Sequence, residues 1–556
     1  MLHKIINKAS FFKTNLDKYN GIQIKDVNQQ KVFSQNVKSR VIGIHLGNTN
    51  SYCAITRWNH PQLIYNFENQ KATPSYISFL NDGNLLIGQP AKNLMKTNPL
   101  QTFYGAKRFI GMKFDDPILQ KNSEKLPKNI CRDQNGDVCF YFQNQIFTPT
   151  EICLKLISQL MHINDFNFRT AIITVPDNFN YEQRIHFRQY VLNAGISVRI
   201  INQSVAALFA NGLGNYSSDD QKIAVYHLGG NTFQISIFKQ EDGIFELVST
   251  QNDIFSGGEE INNLLSEYLT KQIILQTGIN ISECQNTISN IKDAAEKVKC
   301  ELSSSDIAQI SLEYLLPDSL EPKSFNCSIT RFQFEDLCQE FLKNTIKLCE
   351  KCLVDSGYSK DQINHVVLTG GSTRIPFVVK LVSEYFGKQI YKNSILPDED
   401  KAIGAAAMSF SNENESKQFL HPFNLGIELA DGFVYWMIDR SMKHPISVSQ
   451  DFSTTSDNQT SISIKIILGV NPQVNQNKLL QQIDLTGITP LPKGTPKIKI
   501  TLAIEEYNLT VSVKDMSSNQ EQEVLIKNYS ELNEEEERII SENYWNQLNK
   551  QQKLSQ

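Results

Sequence analysis

Residues 41–50 read VIGIHLGNTN and residues 223–233 read IAVYHLGGNTF. Each copy is an apolar β-type run, then His-Leu-Gly, then a turn ending in Asn-Thr. This internal repeat constrains the fold more than any other feature. It asks for two related halves, each with a strand that runs into a turn of phosphate-binding type. Glycine in such a turn lets the backbone approach a phosphate closely, and the N–H groups bind its oxygens. A phosphate site that uses magnesium wants a carboxylate where the strand meets the turn. Both copies carry histidine there, His45 and His227.

A third glycine turn, LTGGSTRIP, follows at 368–376. Three such turns, two of them repeated, indicate an actin-like duplicated nucleotide fold. The surrounding pattern agrees. From Val41 to Phe410, short apolar strands (TAIITVP, KIAVYHL, NHVVLTG) alternate with helical stretches (PTEICLKLISQLMH, EDLCQEFLKNTIKLCEKCL), as in sheets covered by helices. The region closes in a small-residue helix, KAIGAAAMSF, and residues 411–422 are polar and patternless, as a linker is. Over 423–528 the period falls to two: Ile462, Ile464 and Ile466 alternate with Ser463 and Lys465, and Ile498, Ile500, Leu502 and Ile504 with Lys499 and Thr501. That is the pattern of half-buried strands in a β-sandwich. Residues 529–556 place acids first and lysine near the close, which suits one helix and its dipole. The fold class expected is α/β plus β: a two-lobed nucleotide-binding domain at 41–410, a linker, a sandwich and a short C-terminal helix.

Composition excludes several functions. A chain of 556 residues is too long for one core. A net charge of −5 with 20% charged residues leaves no nucleic-acid footprint. No apolar run approaches the roughly 20 residues of a membrane helix, so no membrane span is expected. The 10 cysteines lack the density of a disulfide scaffold, which points to a reducing compartment. Cys349 and Cys352 sit one helical turn apart and read as core packing, since no second pair completes a zinc site. Residues 1–40 carry seven Lys and one Arg against two Asp, with Leu2, Ile5, Ala9, Phe12 and Leu16 at helical spacing. Such a start fits a mitochondrial transit peptide and predicts the mitochondrial matrix; the alternative is a basic tail on a cytoplasmic protein.

The segments GIHLGNTNS, IGQPAKNLMKTNPLQTFYGAKRFIG, AIITVPDNFNYEQR, INQSVAALFANGL, AVYHLGGNTFQIS, AAEKVKCELSSS, VVLTGGSTRIP, LPDEDKAIGAAA, NLGIE and DFSTTSDNQTSISI carry a resemblance from about Val41 to Lys527. The chain resembles the seventy-kilodalton heat-shock chaperones, the DnaK-type proteins, and its mitochondrial branch. The resemblance implies a two-lobed ATPase domain, a linker, a β-sandwich that grips extended peptides and a helical lid, of which this chain has only the first helix. It implies ATP or ADP as cofactor. Adenosine-side contacts fall on Glu296, Lys299 and Ser303, with Cys300 where a stacking arginine is common. The base-side loop is Gly370, Gly371, Ser372 and Arg374, and Asp398 is the ribose-side acid. The phosphate turns keep Gly47, Thr49, Gly229, Gly230 and Thr232, and Lys107 matches the lysine near the γ-phosphate. The reactive positions depart. His45 and His227 replace the metal-shell aspartates, Asn48 a turn threonine, Gln203 the water-orienting glutamate and Gln234 a further aspartate. Lys107 and Thr232 are therefore catalytic remnants, and magnesium is not expected to be held in the usual way.

In the sandwich, Ile462 and Ile464 match the pocket for one apolar peptide side chain, and Ala430 and Thr455 the arch over the peptide. Alternation alone explains the two isoleucines as core. The linker run NENESKQFLHP replaces the family's short Leu-rich coupling segment. The reading is a pseudo-ATPase that binds adenine nucleotide with little or no hydrolysis and engages unfolded or extended polypeptide, co-chaperones or an assembly partner. The alternatives are an active ATP-dependent folding chaperone and a scaffold subunit of a mitochondrial assembly with vestigial sites. The imidazoles, titrating near pH 6.5, are expected to bind phosphate directly.

Overall fold

The repeat in the sequence is a repeat in topology. In this computed structural model, residues 41–527 are described except 58–59, 164–167, 169, 215–219, 242–243, 279–280, 282–283, 313–323, 392–394, 410–423, 440–445, 470, 506–507 and 519. The transit-peptide, linker and terminal-helix readings therefore lie outside the described residues. The chain forms two units, one of residues 41–179 and 186–409, the other of 180–185 and 424–527.

In the first unit, strands β1 (Val41–His45), β2 (Asn50–Arg57), β3 (His60–Leu63), β4 (Thr170–Val175) and β5 (Ser197–Asn202) lie in the order β5-β4-β1-β2-β3, and Ala72–Pro74 adds a sixth strand beside β2. The second sheet holds β6 (Gln221–Leu228), β7 (Phe233–Glu241), β8 (Ile244–Asp253) and β9 (His365–Thr369) in the order β8-β7-β6-β9. The strand that carries the histidine at or next to its end has the same neighbours in both. β1 is antiparallel to β2 and parallel to β4, and β6 is antiparallel to β7 and parallel to β9. The register is also the same: His45 lies opposite Thr174, and His227 opposite Thr369. Strands in the middle of such sheets are covered on both faces and read as continuous apolar runs; Ile42, Ile44, Val225 and Tyr226 are fully buried.

Five helices matter to the site: α1 (Gln203–Ala210), α2 (Gly258–Thr277), α3 (Gln285–Glu301), α4 (Arg331–Ser356) and α5 (Asp400–Ala407). α4 starts at a capping box of Thr330 with Gln333, and its Cys349 and Cys352 are fully buried, which makes them core residues. The two sheets exchange helices. α1 follows β5 in the chain, yet its Leu208 packs with Ile223, Val225 and Phe238 of the second sheet. α5 comes after β9, yet its Ala402 and Ala406 pack on Tyr52 and Ala54 of the first. The helices meet backbone to backbone: a Cβ on Gly404 would lie 1.8 Å from the Ala206 carbonyl oxygen. Among the described residues no helix is long and apolar enough to cross a membrane.

The second unit is a pair of four-stranded antiparallel sheets. β10 (Asn424–Glu428), β11 (Val434–Ile438), β13 (Ser461–Gly469) and β14 (Lys478–Thr486) form one; β12 (Ile446–Phe452), β15 (Ile498–Glu505), β16 (Asn508–Asp515) and β17 (Glu521–Lys527) form the other. The expected alternation builds the core: Ile500, Leu502 and Ile504 lie opposite Val513, Val511 and Leu509 in one buried cluster. In β13 it runs on through Ile464, Ile466 and Leu468, while a register shift opposite Ile466 and Ile467 leaves Leu480 of β14 as the extra residue of a bulge.

Candidate functional site

Within the first unit a cavity of about 470 Å³ is lined by all three glycine turns. The turns touch. Thr49 donates its hydroxyl to Asn231 Oδ1 at 2.8 Å across the two halves, and Ser372 donates to the Gly229 carbonyl at 3.0 Å. Gly229 N–H closes its turn on the Thr232 carbonyl at 2.9 Å. Glycine is required at two of these contacts. A Cβ on Gly230 would lie 2.0 Å from Thr49 Oγ1, and Gly370, at φ +91°, would place one 2.7 Å from His227 Nδ1. Asn48 Oδ1 is buried in the cleft with no partner; the amide of such a residue can turn to offer its N–H₂ group to an anion.

The two histidines end their strands side by side with the lysines. His45 Nδ1 is 2.8 Å from Thr174 Oγ1. His227 Nδ1 is 3.2 Å from the Thr369 carbonyl and 3.1 Å from Lys401 Nζ. Burial, then the charges of Lys401 and Lys107, hold both imidazoles well below their ordinary range. The structure thus corrects one expectation. The rings do not titrate near pH 6.5; they are neutral donors and acceptors, and the positive charge belongs to lysines. Lys107 is itself buried, and burial pushes its ammonium down to about 7.

Gln203 and Gln234 line the same cavity, both buried. Gln203 Nε2 donates to Gln234 Oε1, and Gln234 Nε2 donates to Thr250 Oγ1 at 3.1 Å. The carboxylates near this cluster lie behind the cavity lining. Asp177 takes Ser204 N–H at 3.2 Å and Ser236 Oγ at 2.7 Å. Asp400 takes the Thr369 hydroxyl at 3.0 Å and lies 3.9 Å from Lys401 Nζ.

The remaining positions surround the rest of the cavity. On α3, Lys299 bridges Glu296 at 2.8 Å and the Gly258 carbonyl at 3.1 Å. Ser303 donates to the Lys299 carbonyl, and Cys300 is exposed at the lining. Arg374 Nε donates to Asp398 at 2.9 Å, and the Tyr52 hydroxyl donates to the other Asp398 oxygen at 2.9 Å. Thus Gly47, Asn48, Thr49, Lys107, Gly229, Gly230, Thr232, Glu296, Lys299, Ser303, Gly370, Gly371, Ser372, Arg374 and Asp398 share one cavity with His45, Gln203, His227 and Gln234. The sequence reading missed Lys401. Its signal was a lysine opening the otherwise apolar run AIGAAA, a helix with no polar face to hold it.

Two cofactor fits differ. A nucleotide phosphate fits: turn amides, an unpartnered Asn48 amide and two lysines converge on a cavity of the size small ligands occupy. Magnesium does not. It takes hard oxygen ligands and oriented waters, and the strand ends offer imidazoles, amides and ammonium groups. Among the described residues no group of three or more His, Cys, Asp or Glu gathers as metal ligands do. The lining carboxylates Glu259, Glu296 and Asp398 are each engaged by Asn262, Lys299 or Arg374.

In the sandwich the four positions expected at a peptide groove differ in burial. Ile464 is 4% exposed and belongs to the core, while Ile462 is half-buried against it. Ala430 is exposed in the turn after β10, and Thr455 is exposed with its N–H on Gln459 Oε1 at 3.0 Å.

Duplicated sheets, exchanged helices and a cleft of three glycine turns define an actin-like ATPase-type domain, here followed by a β-sandwich. A family model described as Hsp70 protein matches residues 41–556, and the chain belongs to the Hsp70 family. Its members are chaperones that bind ATP or ADP with magnesium, together with unfolded polypeptides and co-chaperones.

Proposed function

We propose that this Hsp70-family chain is a pseudo-ATPase: it holds ADP or ATP in the cleft, hydrolyses it little or not at all, and engages extended polypeptide or a protein partner through the sandwich. One observation carries the reading. Around the strand ends at His45 and His227 the cavity lining carries Lys107, Gln203, Gln234 and Lys401, and its three carboxylates among the described residues, Glu259, Glu296 and Asp398, are held by Asn262, Lys299 and Arg374. Positive charge and N–H donors favour a polyanion. Turnover also needs a group to orient and deprotonate water, and the loss of one such group costs about 10²–10⁴ in rate. The location proposed is the mitochondrial matrix, on the strength of the basic amphipathic residues 1–40.

The test is calorimetry of the full chain with ATP and ADP, in EDTA and in magnesium, beside a phosphate-release assay. Binding with release at background supports the reading. Magnesium-dependent hydrolysis, or no binding at millimolar nucleotide, overturns it.

A further inference from the structure

We propose that Lys401 is the built-in counter-cation of the cleft, so that the ligand is the free nucleoside di- or triphosphate and not its magnesium complex. The inference rests on the nucleotide reading above and names the form of nucleotide that the site takes.

Lys401 is 1% exposed, yet its side chain lines the cavity at the strand end beside His227. A buried ammonium demands a counter-charge. The nearest carboxylate, Asp400 Oδ1, is 3.9 Å away, beyond hydrogen-bond reach, and is already bonded by Thr369. Asp177 acts on Lys401 only at longer range and is bonded by Ser204 and Ser236. The third acid that acts on it, Asp398, lines the cavity but is held by Arg374 and Tyr52, so the ammonium meets an open cavity with its acids already engaged, the arrangement that receives an anion.

Lys401 also sets its neighbour. His227 Nδ1 lies within reach of both Lys401 Nζ and the Thr369 carbonyl. One ring nitrogen cannot accept from the ammonium and donate to the carbonyl at once. Beside a charged lysine, Nδ1 accepts, and the ring proton moves to Nε2. That nitrogen lies under the second phosphate turn: a Cβ on Gly229 would stand 3.0 Å from it. One lysine thus supplies a charge and turns a neighbouring imidazole into a donor aimed at the turn. A divalent cation has no place in this set, since its ligands would have to be the groups that Lys401 already charges or engages.

The experiment is calorimetry of the full chain with ADP, inorganic tripolyphosphate and adenosine, each in EDTA and in magnesium. Wild type is expected to bind ADP and tripolyphosphate in EDTA, with magnesium giving no gain. Lys401→Met is expected to weaken both at least tenfold and to leave adenosine unchanged. Because that variant leaves Asp400 buried beside an apolar chain, Asp400→Asn with Lys401→Met is measured as well, and the same loss is required of it. Nucleotide binding that persists undiminished in both variants overturns the inference and leaves the nucleotide reading standing. So does wild-type binding that requires magnesium, or an equal loss of adenosine, which would make Lys401 merely structural. Failure of wild type to bind any of the three overturns both.

Discussion

Gln203 donates its amide N–H to Gln234 Oε1, and Gln234 passes a second N–H to Thr250. The order of donation runs one way through the cleft. Gln203→Glu reverses the first link, because a carboxylate has no proton to give; the Gln234 amide must turn, and Thr250 loses its donor. Unfolding by urea should show a loss of about 1–3 kcal/mol. Phosphate release from ATP should stay at background, because groups in one constellation act together and restoring one acid is not enough. Turnover restored by this single change would refute the account of the inactive cleft.

Lys107 gives the cleft its pH response. Burial holds its ammonium down to about 7, with Cys153, Lys401 and Asp177 acting on it by charge. A bound phosphate favours the charged form and raises that value. Affinity is therefore full below about 7 and falls with rising pH by up to about tenfold per unit, until the pKa of the complex is passed. Binding isotherms from pH 6 to 9 should show this slope, and Lys107→Met should flatten it. A wild-type profile flat over that range would exclude Lys107 as the group.

The same lysine costs the empty protein stability. Its folded value of about 7 lies below the ordinary 10.5, so the cost is full below about 7 and is relieved as pH rises toward 10.5. The upper bound is about 4–5 kcal/mol. Melting scans of the nucleotide-free protein should place Lys107→Met above wild type at pH 7, with the gap closing by pH 10.

Two glycine substitutions should fail differently. Gly404→Ala drives a Cβ to 1.8 Å from the Ala206 carbonyl oxygen, so α1 and α5 must separate. Overpacking of this kind costs about 1–3 kcal/mol or more, and the melting temperature should fall sharply. Gly230→Ala presses on Thr49, 2.0 Å from its Oγ1 and 2.8 Å from its Cβ, so the two turns must shift apart locally and the bond to Asn231 is lost. That variant should stay folded and lose nucleotide affinity. Equal melting temperatures would show that the helix contact is softer than its geometry implies.

Residues 1–45 fused to a fluorescent protein should enter mitochondria, and Lys4→Glu with Lys8→Glu should stop the import. A reporter that stays in the cytosol without those changes would remove the location from the proposal.

How much could be read beforehand follows from what local sequence encodes. The strands ending in His45 and His227, the three turns and the sandwich alternation were legible, because periodicity and glycine report on backbone over a few residues. The cluster was only half legible. Lys401 lies 174 positions from His227 and looks like any residue at a helix start, and only the tertiary fold, which sets the start of α5 beside the ends of β6 and β9, brings the two together. The state of the imidazoles was not legible either. The ordinary value near 6.5 assumes water, and the two rings have almost none of it. The bulge at Leu480 escaped the period-two reading because one inserted residue leaves composition unchanged.

The exchange of helices has a consequence for any attempt to divide the domain. A polypeptide ending at Gly214 would keep the first sheet and lack the α5 helix that covers it. Its complement, starting at Asp220, would keep that helix with Ala402, Ala405 and Ala406 turned toward a surface it no longer owns. Neither fragment can complete its own interior, so the halves of this duplicated domain are mutually templating parts, which makes the 214–220 junction a natural place to build a split reporter.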